Sequence, residues 1–159
     1  IQVIMGYLSI KRYERLRAYL THIQSEEEQE SRICHLGYPP LIHYMLEHRL
    51  MKQDIVFNVH ILRKFTIETE QLGERLLRTM KEIERMALKT RNAASDEAFV
   101  IRMTISPQEQ EIVLCIDLPE TSCLNRDEWL RLCEKVSTDH GNVYFKDEAS
   151  ATECTVRIS

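Results

Sequence analysis

The chain has 159 residues, enough for one well-packed domain or a small domain with a helical appendage. Its 43% apolar and 29% charged residues are the proportions of an ordinary soluble globular protein. A formal net charge of -4 gives no support for nucleic-acid binding, and no apolar run approaches the length of a membrane span.

The first two dozen residues organise the rest. Ile1, Ile4 and Leu8 are spaced three then four apart, and after Ser9 the pattern restarts at Tyr13, Leu16, Leu20 and Ile23. Both runs are stripes of the kind that build bundle seams. The spacing predicts the stub of one helix, a tight turn, and a second helix over about Ile10 to Arg32. Such a hairpin is antiparallel and cannot bury two seams alone, so a second copy is expected to complete a four-helix bundle. The chain opens with no cap or polar lead-in, as a helix interior does. It is therefore expected to be a fragment. The acidic stretch Ser25 to Glu30 reads as a solvated helix end. Gly37 stops the helix, and Pro39-Pro40 open a new module.

A helix is expected over Pro40–Met51, a strand over Ile55–Leu62, and a long helix over Thr69–Arg91 with Leu72, Leu76, Met80, Ile83 and Ala87 on one face. Residues 92–97 read as a polar loop. Phe99–Ile105 and Ile112–Leu118 alternate and are joined as a hairpin by Ser106–Gln110. Asn125 with Glu128 forms a capping box before a short helix carrying Trp129, Leu130, Cys133 and Val136. A turn at Gly141-Asn142 leads to a strand near Val143–Phe145, and Thr152–Ile158 alternates again. This order predicts an α+β fold, with helices covering one face of a mostly antiparallel or mixed sheet. The domains are expected to be 1–36 and 37–159.

Five cysteines, Cys34, Cys115, Cys123, Cys133 and Cys154, include no C-x-x-C pair. Cys115 and Cys154 sit within apolar alternation. The expectation is reduced, buried thiols in a cytoplasmic protein, with no disulfide framework and no zinc site. His22 reads as a solvent-facing helix residue. His35, His43, His48 and His60 read as scattered surface or half-buried side chains, since His43 and His48 do not share a helix face.

The run Ile1-Gln2-Val3-Ile4-Met5-Gly6-Tyr7-Leu8-Ser9-Ile10-Lys11-Arg12-Tyr13-Glu14-Arg15 resembles the hairpin of the sporulation initiation phosphotransferases and of citrate- and malate-type sensor kinases. In that pattern a phospho-accepting His is followed by an Asn four residues on, then an apolar residue and Gln, then Gly before the turn. Ile1-Gln2 and Gly6 match its end. The resemblance places the His and Asn before Ile1, so no catalytic residue is expected within this chain.

The resemblance further implies that the α/β part is similar to a histidine-kinase ATP-binding domain. Such domains hold Mg²⁺ with an Asn on the long helix and use an Asp-x-Gly-x-Gly loop and Gly-rich segments for the nucleotide. Here the long helix reads Glu74-Arg75-Leu76-Leu77-Arg78-Thr79-Met80-Lys81-Glu82, with no Asn. Asp117 could mimic the base-binding Asp, but Leu118-Pro119-Glu120-Thr121 follows it without Gly. Only Gly6, Gly37, Gly73 and Gly141 occur, and these positions cannot assemble a phosphate cradle.

The expected activity is that of a dimeric histidine phosphotransferase. A phosphoryl group passes from the Asp of one response regulator through a His to the Asp of a second regulator, a transcription factor of sporulation. The protein itself needs no cofactor, because the regulator supplies Mg²⁺. Gln2, Met5 and Gly6, with Ile23, Gln24 and Glu27 brought alongside by the hairpin, are the expected docking residues. Ile1, Ile4, Leu8, Leu16, Leu20 and Ile23 form the expected dimer seam. Two alternatives remain: a sensor kinase core with a working ATP site, and a non-catalytic dimerising adaptor.

Overall fold

A computed structural model describes residues 2–51, 55–90, 99–117, 131, 143–145 and 153–158. The chain divides into two compact units, Ile1–Ser31 and Arg32–Ser159. The division falls inside the first helix, upstream of the loop that the sequence suggests as a boundary.

That first helix, α1, runs without interruption over Gln2–Cys34. The expected hairpin turn after Ser9 is absent, which corrects the two-helix reading. The physical reason is local. Around Ser9 the only turn-favouring residue is Gly6, and a single Gly weakens a helix by about 1 kcal/mol without breaking it. There is no Pro in the whole stretch. The helix ends where expected. His35 and Leu36 donate to the carbonyls of Arg32 and Ile33, and Gly37 takes φ +78.

In the second unit, α2 spans Pro39–Leu50 and α3 spans Glu70–Thr90. The two prolines at the start of α2 lack N–H groups where a helix leaves donors unpaired anyway. The strands are β1 (Ile55–Ile61), β2 (Phe99–Pro107), β3 (Ile112–Asp117), β4 (Val143–Phe145) and β5 (Glu153–Ile158). They form one sheet in the order β1-β2-β3-β5-β4. β1 and β2 are parallel and every other pairing is antiparallel, so the sheet is mixed and the fold is α+β. The β2–β3 hairpin is tighter than the sequence suggests. Pro107 pairs with Ile112, and Gln108 and Glu111 exchange backbone hydrogen bonds of 2.8 and 3.3 Å. The expected loop at 92–97, the Asn125–Glu128 capping box and the Gly141-Asn142 turn lie outside the described residues.

Alternation decides which sheet face is covered. Ile55, Phe57, Val59 and Ile61 of β1 are buried together with Ile101, Met103 and Ile105 of β2. Ile112, Leu114 and Ile116 of β3 and Val156 and Ile158 of β5 complete that face. Above it α3 buries Leu76, Leu77, Met80, Ile83 and Ala87, and α2 buries Leu41 and Met45. The opposite face carries Asn58, His60, Arg102 and Asp117, all exposed. Cys115 belongs to that face and is half-buried, which corrects its assignment to the core. Its neighbours Leu114 and Ile116 take the covered side. Cys154 is in β5, with its side chain outside the described residues.

The two helices run parallel. Tyr38, at the start of α2, lies against Gly73 near the start of α3, and Tyr44 and His48 further along α2 meet Glu84 further along α3. A Cβ built on Gly73 would sit 2.6 Å from the Tyr38 ring. Gly73→Ala is therefore expected to push the helices apart and cost about 1–3 kcal/mol, despite the better helix propensity of Ala. Chemical denaturation of the variant checks this, and an unchanged midpoint would contradict the packing.

Candidate functional site

Three places in the structure bear on function: the surface of α1, the contact between α2 and α3, and the uncovered sheet face around Asp117.

Gln2, Met5 and Gly6 are exposed and share one helix face by their spacing. Gln24 and Glu27 are exposed and Ile23 is half-buried, again on one face. A continuous helix holds these two groups apart. Gln2 and Ile23 are 21 residues from each other, roughly 32 Å along the axis at the helical rise. The expected docking cluster is thus two clusters on a single chain. The expected seam also breaks. Leu8 and Tyr13 lie five residues apart, about 140° around the helix, so the stripe of Ile4 and Leu8 does not continue into that of Tyr13, Leu16 and Leu20. Ile4, Leu8, Leu16 and Leu20 are all exposed. Ile1 lies outside the described residues. His22 is exposed on the same helix, as the sequence suggests.

The α2–α3 contact holds a polar cluster that sequence reasoning missed. His48 is only 3% exposed, not a surface or half-buried residue. Its Nε2 lies 3.2 Å from Oε2 of Glu84, which also accepts a short hydrogen bond from the Tyr44 hydroxyl. The Tyr44 and Phe57 rings meet the His48 imidazole at centroid distances of 4.6 and 5.0 Å, both edge-on. Nδ1 of His48 is buried without a hydrogen-bond partner. Burial, the hydrogen bond to Glu84, and the charges of Glu84 and Glu47 hold the Tyr44 phenol far above its ordinary 10.0. Tyr44 and His48 are four apart on α2, a spacing that marks one helix face. Their partner on α3 was not legible, because Glu84 looks like any solvated helix carboxylate. The enclosure of His48 rules it out as a nucleophile for an incoming phosphoryl group. His43, by contrast, is exposed beside Glu47.

Asp117 ends β3 with its side chain on the uncovered sheet face, 4.0 Å from Nη1 of Arg102 on β2. Both groups are more than half exposed. Asp117 therefore faces away from α3. Among the described residues no three His, Cys, Asp or Glu side chains are placed to hold a metal ion. Nor is any described helix long and apolar enough to cross a membrane.

No protein-family model matches the chain, and no curated protein sequence does. Among solved structures it is similar to the blue-light activated histidine kinase of Erythrobacter litoralis, with 14% identity and TM-score 0.47 over 93% of this chain and 49% of that one. The histidine kinase domain of the same protein gives 14% identity and TM-score 0.44, over 74% and 57% of the two chains. The catalytic domain of the histidine kinase ThkA gives 13% and 0.43, over 84% and 91%. The chain spans about half the length of the first two structures. Likeness at this level decides no chemistry, which rests on the chain's own side chains.

Glu84→Ala would leave the Tyr44 hydroxyl and His48 Nε2 both without an acceptor, and should cost about 2–4 kcal/mol. Tyr44→Phe removes one donor and should cost less. The raised Tyr44 phenol also fixes a pH dependence. Below pH 10 its contribution is fully present, because the phenol is protonated in both states. As pH rises past 10 the unfolded phenol ionises first and stability falls. Denaturation of wild type and Tyr44→Phe across pH 8 to 11 checks this (a range about the ordinary phenol value, roughly 10). The wild type should lose more stability than the variant above pH 10.

Proposed function

We propose that this chain is part of a histidine phosphotransferase of a phosphorelay, acting in sporulation initiation. The phospho-accepting His lies upstream of Ile1, where the Ile1-Gln2…Gly6 pattern places it. The imidazole attacks the aspartyl phosphate of a single-domain response regulator. The P–O bond to that Asp breaks as a P–N bond to His forms, and the reverse exchange delivers the group to the Asp of a transcription-factor regulator. The regulators supply Mg²⁺ and the charge that stabilises the transferring group. This chain supplies α1 as the dimerising and docking element, in a cytoplasmic homodimer.

The observation that carries the reading over a working sensor kinase is the direction of Asp117. Asp117, the carboxylate that could mimic a base-binding Asp, is exposed on the sheet face opposite the helices, 4.0 Å from Nη1 of Arg102. On α3 the residues from Glu74 to Glu82 offer no Asn. A phosphoryl group taken from another protein fits these features better than one taken from ATP.

Two experiments test this. Calorimetric titration with Mg-ATP should show no saturable heat, and micromolar affinity would favour the kinase reading. Labelled phosphoregulator mixed with this chain should leave it unlabelled, while a chain extended upstream through the His should acquire acid-labile phosphate. Labelling of the present chain would place the acceptor among its own histidines other than the buried His48 and overturn the assignment.

A further inference from the structure

We propose that the cleft between the β1–α3 loop and the β2–β3 turn binds a short zwitterionic peptide with apolar side chains. The proposal goes beyond the phosphotransfer reading and does not depend on it.

The cleft measures about 370 Å³, within the range of small-ligand sites. It lies at the opposite end of β3 from Asp117, since Ile112 opens that strand and Asp117 closes it. One wall is the loop over residues 63–68, and the other is the turn over residues 107–111. Both walls are anchored from within the second unit. Arg63 Nη2 donates to the Pro107 carbonyl at 2.9 Å and ties one wall to the other. Behind the loop, the Ile67 N–H donates to the Leu36 carbonyl at 2.9 Å, and the Thr66 hydroxyl donates to the His35 carbonyl at 3.1 Å. The turn is closed by the mutual backbone bonds of Gln108 and Glu111. Walls held in this way spare a ligand much of the cost of ordering its site.

The side chains select the occupant. Phe65 and Leu72 are half-buried and pack against the core, and the buried Ile67 and Ile112 join them in giving the cleft an apolar lining. The rim carries both signs of charge. Arg63, Lys64 and Glu68 stand on the loop and Glu109 on the turn, all four exposed. Glu111 is offset by Arg157 at 3.7 Å. The two rim cations are therefore balanced by Glu68 and Glu109. A polyanion such as a nucleotide meets a carboxylate on each wall, which opposes it. A purely apolar ligand offers no partner to the charges it would desolvate. A zwitterion serves both signs. Its carboxylate pairs with Lys64 and Arg63, its ammonium with Glu68 and Glu109, and its apolar side chains cover Phe65 and Leu72.

The dipeptide leucyl-phenylalanine is the probe, titrated calorimetrically into the full chain. Saturable binding is expected with a Kd on the order of 10–100 µM, from the ligand efficiency of a molecule of about 20 heavy atoms. The acetylated and amidated dipeptide keeps the side chains and loses both charges, and should bind roughly tenfold more weakly or worse. Lys64→Glu and Glu109→Lys, both at exposed positions, should each weaken the free dipeptide about tenfold and leave the denaturation midpoint unchanged. Backbone amide exchange locates the ligand, and should slow at Ile67 and across residues 108–112 when the dipeptide is bound. No saturable heat at millimolar dipeptide would overturn the proposal. So would equal binding of the capped dipeptide, an unchanged affinity in either charge variant, or slowed exchange confined to another part of the chain.

Discussion

The constraint on which the second unit depends is that one face of its sheet must be covered. Side chains alternate along a strand, so covering one face fixes the position of every residue in β1, β2, β3 and β5 at once. Phe57, Met103, Leu114 and Val156 face the helices, and the alternate positions stay on the open side. Helix α3 covers that face with an apolar stripe from Leu76 to Ala87, and α2 adds Leu41 and Met45. Helix α2 can join it only because Gly73 leaves room for the Tyr38 ring. A slip of one residue in β3 would exchange Leu114 and Ile116 for Cys115 and Asp117 beneath α3. That would bury a carboxylate and expose two large apolar groups, which is why the register is strongly specified.

The same parity separates what was legible in the sequence from what was not. The strands and α3 were legible because period two and period 3.6 are strong signals over their length. The α+β class followed from their order. The covered face was also readable, yet Cys115 was misassigned to it, because an apolar thiol between Leu114 and Ile116 looks like a core residue until alternation is applied strictly. The polar cluster of Tyr44, His48 and Glu84 was not readable. Its members are 36 and 40 residues apart across the α2–α3 contact, and no local pattern joins them.

A buried imidazole with one unpaired nitrogen is unfavourable by about 1–3 kcal/mol. An unpaired lone pair is easier to tolerate than an unpaired N–H. The cheaper arrangement therefore has His48 Nε2 donating to Glu84 and leaves an acceptor at Nδ1. The Tyr44 hydroxyl donates to the same carboxylate oxygen, so Glu84 acts as the common acceptor that holds both α2 side chains on α3. The cluster ties the helices together and leaves no accessible nucleophile.

The helix α1 poses the opposite question, since most of its surface is exposed while carrying large apolar groups. Its continuity changes which residues act together. In a hairpin, Gln2 and Gly6 would lie beside Ile23 and Glu27 of the same chain. In one continuous helix they are separated by about six turns. The segregation of charge then matters more than the total. A net charge of -4 for the whole chain conceals a basic block and an acidic block on one helix. The local charges along α1 therefore differ in sign while the total for the chain stays small.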